Sequence, residues 1–95
     1  MSTVDLATSA KIKLDFPIKI DGRTINELTM RRPKVRDRLK ATKVKGTEDD
    51  QNLAFMADLC EEPVEVLHEL DEFDMDKVGA QYAAFTGRRP VTPEN

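Results

Sequence analysis

Between Ile12 and Ile20 every second residue is apolar (Ile12, Leu14, Phe16, Ile18, Ile20), while Lys13, Asp15, Pro17 and Lys19 hold the other parity. A period of two puts one set on a buried face, which predicts a β-strand with Leu14, Phe16 and Ile18 turned inward. Asp21-Gly22 follows at once, and Asp-Gly supplies the positive-φ positions of a tight turn that matches the twist of two antiparallel strands. In the return strand, about 23–30, Ile25 has the opposite parity to Leu28 and Met30. That conflict predicts a bulge near Asn26-Glu27, or a three-residue loop with a Gly bulge. Pro17 cannot donate a ladder hydrogen bond, so its strand belongs at an edge or turns that nitrogen toward solvent.

After the hairpin the period changes. Pro33 suits a first helical turn, and Val35, Leu39 and Thr42 recur at spacings of four and three, predicting a short basic helix that ends near Gly46. Thr47 offers an N-cap hydroxyl, and Glu48, Asp49 and Asp50 complement the positive end of a second helix. Its apolar residues, Leu53, Phe55, Met56, Ala57, Leu59 and Cys60, cover a wide arc, as expected of a central core element ending at Glu61-Glu62-Pro63. Val64, Leu67 and Leu70 predict a short third helix starting at Pro63. Asp71 or Asp74 would cap a fourth, with Met75, Val78, Tyr82 and Phe85 as its stripe and Gly87 as its left-handed terminus. The expected fold class is α+β: an antiparallel N-terminal hairpin packed on three or four short helices. Residues 1–10 read as a flexible arm, 11–87 as a single small domain and 88–95 as a flexible tail.

Charge sharpens this picture. The net charge of -3 hides a bipolar chain: residues 31–45 carry Arg and Lys against the single acid Asp37, and residues 47–76 are rich in Asp and Glu with no Lys or Arg. One Cys cannot form an intramolecular disulfide, and no apolar run approaches the length that crosses a bilayer; a cytoplasmic protein without a membrane span is expected.

Three stretches together are similar to a known family: Pro17-Ile18-Lys19-Ile20-Asp21-Gly22, the block from Ile25 to Pro33 with Glu27-Leu28-Thr29-Met30-Arg31, and Leu53 to Leu59 followed by Glu62-Pro63 and Leu67. They resemble the phage tail assembly chaperones of Mu-type contractile-tailed phages. The resemblance implies a non-enzymatic protein that holds the tape-measure protein soluble in the host cytoplasm until the tail tube polymerises, and that is absent from the mature virion. It implies no cofactor. Its expected partners are the tape-measure protein, further copies of the chain (a homo-oligomer, or many copies on one client) and a possible contact with the tail-tube protein.

Cys60 and His68 lie eight positions apart across Pro63 with no orienting third group, so a catalytic pair is not expected. One Cys and one His are too few for a structural zinc site, and Glu48, Asp49 and Asp50 lack the spacing of a calcium loop. A chaperone must offer apolar surface that its client covers, which selects Phe55, Met56, Met75 and Phe85 as candidate partner-binding residues, with Arg36, Arg38 and Lys40 as candidate steering charges. The alternative is a small phage or prophage adaptor that binds nucleic acid or a regulator through the basic helix. That helix has no aromatic residue to stack on bases and the chain is acidic overall, so nucleic acid is not expected.

Overall fold

A computed structural model describes residues 7–87. The expected arm at 1–10 falls partly, and the tail at 88–95 wholly, outside the described residues. The hairpin consists of β1 (Ser9–Ile20) and β2 (Arg23–Arg31), paired antiparallel as a two-stranded sheet. Asp21 and Gly22 take φ of 49° and 75°, the paired left-handed values of a two-residue hairpin turn. Four helices follow: α1 (Val35–Ala41), α2 (Glu48–Cys60), α3 (Val64–His68) and α4 (Glu72–Thr86).

Helix boundaries follow local chemistry. The Thr47 hydroxyl accepts from the Asp50 N–H at 3.2 Å while Asp50 Oδ2 accepts from the Thr47 N–H at 2.9 Å, closing a capping box at the start of α2. The Asp71 carboxylate accepts from the Phe73 N–H at 2.9 Å and opens α4. Gly87 closes α4 at φ 71°, a value that costs glycine little. Pro33 lies ahead of the N-cap Lys34 rather than inside the first turn of α1, leaving that end to a side chain: Asp37 Oδ2 accepts from the Lys34 N–H at 2.8 Å.

The helices cover one face of the hairpin. Ile12, Leu14, Ile18, Ile25, Leu28 and Met30 from the sheet meet Phe55, Met56, Leu59 and Cys60 from α2, Val66 and Leu67 from α3, and Val78 and Phe85 from α4. Met30, Leu59, Val78 and Phe85 are fully buried. At about 25 cal/mol per Å² of apolar surface removed from water, this single cluster supplies most of the drive to fold so short a chain.

Two expectations about facing are corrected. Phe16 does not point inward: it is 53% exposed although Leu14 and Ile18 beside it are buried. The parity conflict is resolved on β1 rather than at Asn26-Glu27. Lys13 pairs with Glu27 and Ile18 with Ile25, so four β1 residues stand opposite the single residue Asn26, and Phe16 rides on the bulged stretch. Val35 and Leu39 likewise turn outward, at 63% and 56% exposure, while Asp37 and Ala41 form the inner side of α1. The cause is electrostatic. Arg31 at the end of β2 grips Asp37 with two parallel hydrogen bonds of 2.8 Å, and that fork fixes the rotation of α1 about its axis.

Candidate functional site

The candidate partner residues separate into different environments. Phe55, Met56 and Phe85 are core residues, buried to 8%, 5% and 0% exposure, so an exposed apolar surface is not built from them. The physical reason is size: so short a chain has few large apolar side chains, and its own core needs them. Phe55 stacks edge-on against Tyr82 with ring centroids 5.4 Å apart, and Phe85 is covered by Arg32, whose guanidinium carbon lies 5.6 Å from the ring centroid. Met75 alone stays half-buried, packed against the rim of the core.

Met75 lines a groove of about 450 Å³ between α2, α3 and α4. Leu53, Leu67, Leu70 and Met75 supply its apolar lining, and Asp49, Asn52, His68 and Glu72 its polar rim. Three helices contribute, because the break at Pro63 folds α3 back beneath α2 and the Asp71 cap turns the chain into α4. The sequence places Leu53 in the apolar arc of the second helix and Leu67 and Leu70 on one side of the third. Their helical spacing is the same for a core stripe and a groove wall.

The basic segment is likewise divided. Arg31 is engaged with Asp37, whose carboxylate the fork holds well below the usual range, at about 2, against the opposing effect of burial. Arg32 donates to the Phe85 carbonyl at 3.0 Å and so ties the hairpin's end to the end of α4. Lys40 pairs with Asp58 of α2 at 3.4 Å. Arg36 and Arg38 are exposed beside Val35 and Leu39, with no salt bridge among the described residues. Of the three candidate steering charges, these two remain available.

A network that sequence reasoning missed lies at the bulge. Asp74, fully buried, accepts from the N–H groups of Asp15 and Phe16 at 3.0 and 2.9 Å. Two consecutive strand N–H groups turning to one carboxylate mark where β1 leaves its ladder. Burial pushes the Asp74 pKa up, but the two N–H groups and Lys77 more than offset it and the net shift is downward. Lys77 bridges the Asp15 carboxylate at 3.0 Å, Asp74 at 3.4 Å and the Lys13 carbonyl at 3.0 Å, and its ammonium lies 5.3 Å from the Phe73 ring centroid.

The one thiol and the one imidazole of the sequence sit in different environments. Cys60 is buried, and burial together with the Glu62 charge pushes its thiol up to about 11, so it is a neutral core group rather than a thiolate. His68 lies exposed at the end of α3. Among the described residues no group of three or more His, Cys, Asp or Glu is placed to hold a metal ion, and no helix is long and apolar enough to cross a membrane.

No curated protein and no solved structure matches the chain. Residues 11–87, from the start of the alternating strand to the glycine that closes α4, match the family described as phage tail assembly chaperone proteins, E, or 41 or 14. The match spans the hairpin, all four helices and the groove between them, and the chain therefore belongs to the phage tail assembly chaperone family.

Proposed function

We propose that the chain binds the tape-measure protein of its phage in the host cytoplasm and keeps it soluble until the tail tube assembles around it. The observation that carries this reading is the groove between α2, α3 and α4. Its apolar lining of Leu53, Leu67, Leu70 and Met75 with the acidic rim residues Asp49 and Glu72 suits an amphipathic helix that presents apolar anchors at three- and four-residue spacing and a basic flank. Binding is stoichiometric: many copies mask successive stretches of a long client, and no bond is made or broken. The setting is a contractile tail, by the resemblance to chaperones of Mu-type phages.

The groove is tested by Leu53→Ala combined with Met75→Ala. Both side chains are half-buried, so the double variant should fold, which its circular dichroism would show. Its affinity for a soluble helical segment of the tape-measure protein, measured by calorimetry, should fall by roughly tenfold or more. Unchanged affinity in a folded double variant would remove the groove as the client site.

A further inference from the structure

Ala7 is where the chain enters the described fold, and it does so beside α1. The Arg32 N–H donates to the Thr8 carbonyl at 2.9 Å, which carries the antiparallel pairing one step past Ser9 and Arg31. The Arg32 guanidinium then spans two carbonyls, those of Ala7 at 3.4 Å and Phe85 at 3.0 Å. Pro33 and Thr86, the residues that follow Arg32 and Phe85, line a pocket of about 150 Å³ between the start of α1 and the end of α4. The segment before Ala7 therefore starts beside that pocket.

The pocket and the surface around it suit an apolar segment that carries negative charge. Val35, Phe55 and Tyr82 give the pocket apolar walls, and its size matches one branched aliphatic side chain. Val35 and Leu39 continue the apolar surface outward along α1, both more than half exposed and, four residues apart, about 6 Å apart along the axis. Lys34, Arg36 and Arg38 stand exposed around them with no salt bridge among the described residues. Val4-Asp5-Leu6 has the matching composition, an aliphatic side chain on either side of a carboxylate. Leu6 adjoins Ala7 and Val4 lies three residues from it, a reach of about 10 Å in an extended chain. The other end of the sequence does not match: residues 88–95 carry Arg88 and Arg89 against Glu94 and would set cations against cations.

We propose that residues 4–6 of this chain close over α1 as a strap, with Leu6 seated in the pocket beside Phe55 and Tyr82, Val4 against Leu39, and Asp5 among Lys34, Arg36 and Arg38. Closure takes apolar surface that the helices leave bare out of water and brings one carboxylate to cations that the described fold leaves without a salt bridge. The contact is three residues long and opens readily, so the outer face of α1 is offered only when the strap lifts, and any partner of that face must displace it. The client groove borders the start of α4 and the strap its end, so the strap neither requires the client nor depends on how the groove is used.

Nuclear Overhauser contacts in the full chain test the proposal. The intact chain should show them from the Leu6 methyl groups to the Tyr82 ring and the Val35 methyl groups. Leu6→Gln should abolish them and move the Val35, Leu39 and Tyr82 resonances. Asp5→Lys should weaken them, as should high salt in the intact chain. Asp5→Lys also keeps the test open if Leu6→Gln fails to fold. A folded intact chain without these contacts overturns the proposal. A mixture of isotope-labelled and unlabelled chains separates contacts within a chain from contacts between chains, and finding them only between chains would give the face to a second copy and overturn it. Val35 and Leu39 resonances that Leu6→Gln leaves in place, but that a helical segment of the tape-measure protein moves, would give the face to the client and overturn it as well.

Discussion

Replacing Asp74 with alanine should lower the unfolding free energy by about 3 kcal/mol, read as a fall in the urea midpoint and a drop of about 12 °C or more in melting temperature. The carboxylate is fully buried and accepts from two backbone N–H groups that the bulge takes out of the β ladder. Alanine leaves those donors with no acceptor and frees Lys77 from one of its anchors, so the loss is a desolvation cost rather than the net worth of an average hydrogen bond. Asp74→Asn keeps one carbonyl oxygen and should fall between alanine and the intact chain. Asp71→Ala, at the exposed cap three residues away, should cost only about 1 kcal/mol. An Asp74→Ala variant within about 0.5 kcal/mol of the intact chain would mean that the bulge is held by packing alone.

Removing Arg31 should cost a similar amount, about 3 kcal/mol near neutral pH, because it strands an Asp37 carboxylate that is only 5% exposed. The same pair sets a pH dependence of known sign. Asp37 titrates at about 2 in the folded chain against an ordinary 3.8, chiefly because of the Arg31 fork. A carboxylate whose pKa is depressed by folding stabilises fully above its unfolded value, and that stabilisation disappears as pH falls through the folded value. The intact chain should therefore lose stability from about pH 4 down to about pH 2. Asp37→Asn should start less stable and show a shallower fall over that window. Some slope should remain, since Asp74 is also shifted downward. An Asp37→Asn variant with an undiminished acid slope would contradict the role given to the fork.

These two charge networks also mark where the sequence stops being legible. The hairpin can be read directly, because a period of two and an Asp-Gly turn are local signals that tertiary contacts here reinforce. The start of α2 can be read for the same reason: Thr47 and Asp50 satisfy each other within one turn. Phe16 could not be placed, because the bulge that turns it outward is held by a side chain 58 residues away. The outward face of α1 was hidden in a similar way. The spacing of Val35 and Leu39 looks like an inner stripe until Arg31, from the preceding strand, claims Asp37 and rotates the opposite side of the helix inward.

The candidate site was legible only in part. Met75 stands at the groove, but Phe55, Met56 and Phe85 went to a core that could not close without them. Periodicity identifies which residues leave water and not whether the neighbour that covers them belongs to the same chain. Leu53, Leu67 and Leu70 come from two helices and the turn that follows, and only the folded arrangement brings them to one wall. Arg36 and Arg38 remained on the surface as read, whereas Lys40 was drawn into an ion pair with α2.

The proposed role of this member of the tail assembly chaperone family is to hold the tape-measure protein in solution through its own fold. The most direct measurement is the soluble fraction of that protein when produced in bacteria with and without this chain. The tape-measure protein should be largely insoluble alone and should become soluble, and co-purify with several copies of the chain, when the two are made together. A tape-measure protein whose solubility is unchanged by the chain, with no complex recovered, would contradict it.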